Sequence, residues 1–112
     1  MLKKTYRISK KKEFDLVFSN NRSHFNKYFG LKLIKTSKTG LRFGIIVNNK
    51  VSKKACLRNL IKRRLRYLLE TYTKTLSIQA DVVIIVLPEA LQASFLDLKE
   101  ALAYSGRKVG LN

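Results

Sequence analysis

The sequence predicts an α/β (α+β) two-layer sandwich around a central sheet, in the order α-β-β-α-β-α with one further short strand allowed. Three stretches carry that prediction. Residues 81–87 (DVVIIVL) form a continuous β-branched apolar run stopped by Pro88, the pattern of a central strand covered on both faces. Residues 28–35 (YFGLKLIK) alternate in the period of two that suits a strand. Between them, eight of the seventeen residues in 50–66 (KVSKKACLRNLIKRRLR) are Lys or Arg and none is acidic. On an ideal helix of about 100° per residue, Leu57, Ile61, Leu65, Leu68 and Tyr72 gather on one core face. Lys54, Arg58, Asn59, Lys62, Arg63 and Arg66 spread over a flank and the back.

Taken in order, residues 1–12 hold six basic residues and no acid, so 1–8 is a basic arm, either a solvated tail or a segment laid along a phosphate backbone. Ser9 is the expected N-cap of a first helix, with Phe14, Val17 and Phe18 at i, i+3, i+4 on one side. Residues 20–27 (NNRSHFNK) read as a polar connection. In the strand that follows, Phe29, Leu31 and Leu33 face one way and Gly30, Lys32 and Ile34 the other; the second set either lines a groove or faces solvent. Residues 36–40 are turn-like, 41–47 (LRFGIIV) form a second strand, and Asn48 and Asn49 punctuate its end. Ser52 is the expected cap of the long helix, which runs to about Tyr72. After the strand at 81–87, Ser94 and Asp97 make a capping-box pattern that opens a last helix with Phe95, Leu98 and Leu102 on one face and Gly106 as its stop signal.

With 112 residues, 46% of them hydrophobic, the chain is sized for a single domain over 1–112. The net charge of +17 is lopsided, with +18 on residues 1–66 and −1 on 67–112. So one-sided a field calls for a polyanion, nucleic acid before membrane. One cysteine, Cys56, excludes an internal disulfide and reads as a small helix side chain. The basic N-terminus has no apolar run behind it, and no stretch approaches the roughly 20 apolar residues of a membrane span, so a soluble cytoplasmic protein is expected. Phosphodiester hydrolysis normally uses clustered carboxylates that hold metal ions, or a His or Lys base in a dry pocket. The basic half offers only Glu13 and Asp15, which diverge by about 200° on a helix, and the lone His24 reads as a solvated loop residue. The chain therefore reads as a binder with no catalytic or metal-ligating residues of its own.

Against this background Ala55-Cys56-Leu57-Arg58-Asn59-Leu60-Ile61-Lys62-Arg63 resembles the A-x-x-R-N-R-x-K-R signature of the bacterial ribonuclease P protein subunit. Residues 47–54 (VNNKVSKK) are similar to that family's V-x-K-K-containing lead-in. Arg7-Ile8 with residues 13–18 (EFDLVF) resembles its R-L…E-F-x-x-V-F opening. Phe29, the strand RFGIIV, the apolar strand with Pro88 and the last helix also fit, so the resemblance covers about residues 4–106. It implies a left-handed βαβ crossover around the long helix and a partnership with a large catalytic RNA that, with Mg²⁺ held mainly by that RNA, removes the 5′ leader of precursor tRNA. By position, Lys54, Arg58, Asn59, Lys62, Arg63 and Arg66 would contact the catalytic RNA. Phe14, Phe18, Lys32 and Ile34 would line a cleft for the leader, and Arg7, Lys50 and Lys53 would add phosphate contacts. No obligate protein partner and no membrane partner are implied.

Two positions depart from the family pattern. Leu60 stands where the second arginine of R-N-R is usual, on a flank about 110° from the middle of the core face, where an exposed leucine replaces a charge. Lys32 stands where many relatives carry an aromatic ring, trading stacking for attraction to phosphate. Charge and size alone also suit a non-enzymatic structural RNA-binding protein, such as a small ribosomal component. That alternative leaves the R-N-x-x-K-R helix and the Phe14/Phe18 pair unexplained. A cationic membrane-active protein leaves the strand at 82–87 unexplained.

Overall fold

The structure, a computed structural model, describes residues 6–19, 22–36, 40–76 and 78–111. Its elements are α1 (Lys11–Ser19), β1 (Arg22–Phe25), β2 (Phe29–Lys35), β3 (Leu41–Ile46), α2 (Ala55–Thr75), β4 (Ala80–Val86), a short 3₁₀ turn (Pro88–Gln92) and α3 (Phe95–Val109). The four strands form one sheet in the order β1-β2-β4-β3. β1 with β2 and β2 with β4 are antiparallel, whereas β3 and β4 run parallel and are joined by α2 as a crossover. The expected strands and helices are present, and β1 is the further short strand.

Alternation along the strands sorts the sheet into two faces. Phe29, Leu31, Leu33, Leu41, Phe43, Val82 and Ile84 point to the main core, which they share with Ile61, Leu65, Leu68 and Leu69 of α2 and Leu98, Leu102 and Val109 of α3. On the other face a smaller cluster joins Val83 to Val17 of α1 and to Ile8, with Phe14, Ile34, Ile46 and Ile85 packed on it. β4 is thus covered on both sides, as its unbroken apolar run requires. Each fully buried Leu or Ile of α2 contributes about 1.5–3 kcal/mol. Like-charged i, i+4 neighbours cost only about 0.2–0.5 kcal/mol a pair, so burial outweighs the crowding of cations on the same helix.

Several boundaries fall away from their sequence signals. α1 starts at Lys11, with Lys10 O accepting from Glu13 N–H (3.0 Å) and Lys10 N–H donating to Glu13 Oε1 (3.3 Å), so Ser9 is not its cap. α2 starts at Ala55 after an uncapped Lys54; Ser52 closes a preceding turn by accepting from Lys54 N–H at 3.1 Å. The capping box at Ser94 and Asp97 is formed. α3 continues through Gly106, which is buried against the core, and stops at Gly110 in the left-handed conformation at φ 86°. A glycine inside an apolar-faced helix is read by its packing, not as a stop. Leu69 is fully buried beside Leu65 and Leu68, while Leu57 and Tyr72 are only partly buried.

Residues 1–5 of the basic arm lie outside the described residues. At its end, Arg7 bridges to Phe43 in parallel and Ile8 N–H donates to Phe43 O at 2.8 Å, anchoring residues 7 and 8 along β3. α1 is fastened to the sheet by charge. Arg42 on β3 donates from Nε and Nη2 to both oxygens of Asp81 on β4 (3.0 and 2.8 Å) and from Nη1 to Glu13 Oε2 of α1 (2.7 Å). The hydrogen bonds to Asp81 first, then to Glu13, raise the guanidinium above its ordinary range.

Replacing Arg42 by Ala leaves Asp81, 7% exposed, without its counter-charge; urea unfolding should show a loss of about 3 kcal/mol. The hydrogen bond from Arg42 holds the Glu13 carboxyl below its ordinary 4.5. A folded-state value below the unfolded one gives stability that is complete above pH 4.5 and fades as pH falls through the folded value. The margin of wild type over Glu13→Gln should therefore be constant near neutrality and shrink below pH 4.5 in acid-unfolding curves.

Candidate nucleic-acid interface

The approach to α2 is built by short hydrogen bonds. Asn48 Oδ1 accepts from Lys50 N–H at 2.9 Å and Asn48 O from Val51 N–H at 3.1 Å, while Val51 is buried in the main core. This fixed turn carries Lys50 and Lys53 into solvent at the start of the helix. Arg58 Nη1 donates to Ser52 O at 2.8 Å, which fixes one edge of the guanidinium and leaves its remaining N–H groups for an anion. Lys54, Arg58, Lys62 and Arg66 follow one another at i, i+4, each drifting about 40° around the helix. Asn59 and Arg63, both exposed, stand beside them; Arg58, Lys62 and Arg66 have partly buried stems.

This row continues around the edge of the sheet. Burial first, and the like charge of Arg7 second, hold Arg66 below the ordinary arginine value. Arg7 sits on β3's outer edge, so the basic helix and the anchored end of the arm form one positive field. An anion between them would offset the like charge that acts on Arg66. Leu60, expected in the open, is partly buried.

Phe14, Phe18, Lys32 and Ile34 belong to the opposite side of the sheet from α2. Phe14 and Val17 pack α1 down onto it. A methyl group at Gly44 would run into the Phe14 ring, so this ring is a packed wall of the face. Phe18, 41% exposed, stands open at the end of α1. Ile34 lines a shallow pocket with Leu16, Lys35, Thr36 and the Glu13, Arg42, Asp81 group. Lys32 places Nζ 5.7 Å from the centre of the Phe25 ring. The two sets of sequence-selected residues thus occupy separate faces, joined around the β3 edge by Arg7 and Ile8.

Two residues of the polar connection take different places from those expected. His24 is not a solvated loop residue; it lies in β1, partly buried, sharing a 2.9 Å hydrogen bond between Nδ1 and Ser105 Oγ and meeting Tyr104 edge-on at 5.5 Å. Asn26 Nδ2 donates to the same Ser105 Oγ at 2.8 Å, while Asn26 Oδ1 accepts from the N–H groups of Tyr28 and Phe29 and locks the β1–β2 turn. Phe25 was not selected from the sequence, yet it is half exposed on the same face as Lys32. Its only signal is a glycine five residues on, and that becomes meaningful only when the hairpin register pairs Phe25 with Gly30.

Chemically, these surfaces present cations suited to phosphates and offer apolar rings beside them. Among the described residues no group of three His, Cys, Asp or Glu is placed to hold a metal ion, and no helix is long and apolar enough to cross a membrane. Glu13 and Asp81 are both taken up by Arg42.

The sequence and the fold both have counterparts among known proteins. Residues 2–109 match the family model described as Ribonuclease P. The chain is 36% identical over 103 residues to the ribonuclease P protein component of Lactococcus lactis subsp. cremoris, covering 92% of this chain and 86% of that one. It is 33% identical over 95 residues to that of Synechocystis sp., covering 84% and 77%. Among solved structures it resembles the RNase P protein of Staphylococcus aureus with a TM-score of 0.82 at 26% identity, covering 91% of this chain and 93% of that one. The RNase P protein from Thermotoga maritima gives 0.78 at 26% identity, covering 90% and 96%.

If the α2 row contacts phosphates, Arg58→Ala or Lys62→Ala should weaken binding to a structured RNA. The slope of log affinity against log salt should fall by about 0.7–0.9 for each lost contact. A slope equal to wild type would take that residue out of the interface.

Proposed function

This chain belongs to the ribonuclease P protein family, and on that basis we propose that it is the protein subunit of the ribonucleoprotein that removes the 5′ leader of precursor tRNA in the cytoplasm. The α2 row carries the proposal: Lys54, Arg58, Asn59, Lys62, Arg63 and Arg66 contact the catalytic RNA, with Lys50, Lys53 and Arg7 adding phosphate contacts. Phosphate contacts of this kind set position and orientation, and base pairing and shape within the RNAs supply the rest. On the other face, Phe18, Lys32 and Ile34, backed by Phe14, receive the single-stranded leader.

The chemistry belongs to the RNA. Mg²⁺ held mainly by that RNA supplies an activated water and charge stabilisation at the scissile phosphate. The chain's own part is electrostatic and positional. Each neutralised phosphate releases counterions and lowers the repulsion between two polyanions, which raises precursor affinity and the effective affinity for Mg²⁺. Lys32 contributes attraction to the leader backbone, a contact that carries no base preference. Leu60 removes one charge from the signature, and Arg63 and Arg64 remain on the same turn to take its RNA contact.

The test is multiple-turnover cleavage of a precursor tRNA by a bacterial ribonuclease P RNA at low millimolar Mg²⁺, with and without this protein. Cleavage at the mature 5′ end only when protein is present is the expected result. RNA-bound, folded protein that gives no stimulation would overturn the proposal in favour of a structural RNA-binding protein.

A further inference from the structure

The strongest unassigned feature is the ring of Phe25, half exposed beside the Lys32 ammonium on the sheet face that α1 packs against. Phe25 pairs in register with Gly30, and Ser23 with Lys32, so Phe25, Gly30 and Lys32 share that face on adjacent strands. The Phe25 ring lies against the backbone of Gly30 so closely that any β-carbon there would collide with it. Glycine inside a strand costs about 0.5–1 kcal/mol relative to alanine, and its place in β2 leaves room for the ring. Half of the ring remains in solvent all the same. Lys32 Nζ, 5.7 Å from its centre, stands at the outer limit of a cation–π contact and is within reach of a neighbouring anion. The next rungs toward β4 are apolar, Gly30 facing Ile85 and Lys32 facing Val83. The nearest acid in register, Asp81 opposite Ile34, is held by Arg42.

A half-exposed ring beside a cation, with no free carboxylate on the adjoining rungs, has the chemistry of a nucleotide site: base on ring, phosphate on ammonium. We propose that Phe25 is a base-stacking residue for one nucleotide of the single-stranded leader and that Lys32 takes the phosphate next to that base. This rests on the subunit function proposed above and deepens it. It also adds contact with a base to a cleft in which Lys32 attracts phosphate.

Reconstituted holoenzyme carrying wild type, Phe25→Ala, Phe25→Leu or Phe25→Tyr tests this by binding to precursor tRNA and to mature tRNA without a leader. A half-exposed ring leaves all variants folded, which their thermal unfolding verifies. The Ala and Leu variants should bind the leader-bearing precursor roughly five- to a hundredfold more weakly. Mature tRNA affinity should be unchanged, and Phe25→Tyr should match wild type. Leu retains apolar bulk without a π-face, so a normal Leu variant would overturn stacking. In a scan of leaders with one abasic nucleotide, one position should cost wild type affinity and cost Phe25→Ala nothing further. Equal losses on both tRNAs, no loss at all, or an abasic scan in which wild type and Phe25→Ala respond alike would each overturn the inference. A wild-type chain that fails to stimulate cleavage would overturn the subunit function and the inference together.

Discussion

The contact between Arg42 and its two carboxylates holds the whole of one sheet face in place. α1 is nine residues long; Val17 is its one fully buried side chain, and Phe14 packs beside it on the sheet, a small apolar area for fixing a short helix. Arg42 ties Glu13 of α1 to Asp81 of β4 through three hydrogen bonds of 2.7–3.0 Å. A guanidinium suits this place because its planar fork meets one carboxylate with two donors and has a third for the other. The same contact uses two of the few carboxylates in the molecule, so the face beside it is left with cations and rings.

The sheet keeps two tasks apart. α2 buries one row of side chains in the main core and turns its cations away, and the burial term exceeds the helix's internal repulsion. What burial does not relieve is repulsion between elements, as at Arg66 and Arg7. That residual strain is electrostatic and long-ranged, so a bound polyanion stabilises the folded chain by mass action as well as by contact. Structure and partner are in this sense linked: a polyanion drawn to this field would also offset it.

Much of the site was legible along the chain because its parts are local. An i, i+4 row of cations needs only helical spacing, and Phe29, Leu31 and Leu33 against Gly30, Lys32 and Ile34 needs only the pleat. The signals that misled were also local. Ser9, Ser52 and Gly106 are residues that stop or start helices elsewhere; here Ser52 closes a turn, and Gly106 is buried within α3 while Gly110 ends it. Leu60 stands on a flank by ideal-helix geometry and is nevertheless partly covered, since a projection of backbone angles takes no account of the side chains around a position.

By itself, the sequence determined the order of elements, the apolar faces, the charge asymmetry and the basic helix, since each follows from periodicity or composition within one segment. Only the tertiary structure decided that His24 and Phe25 lie in a strand, that Gly30 is the floor of an aromatic ring, that Arg42 joins Glu13 to Asp81, and that Arg7 stands by Arg66. Each of those depends on a register or a crossover between segments far apart in the chain. Strand pairing is set by the sum of many weak contacts across the sheet, so no single stretch of residues encodes it.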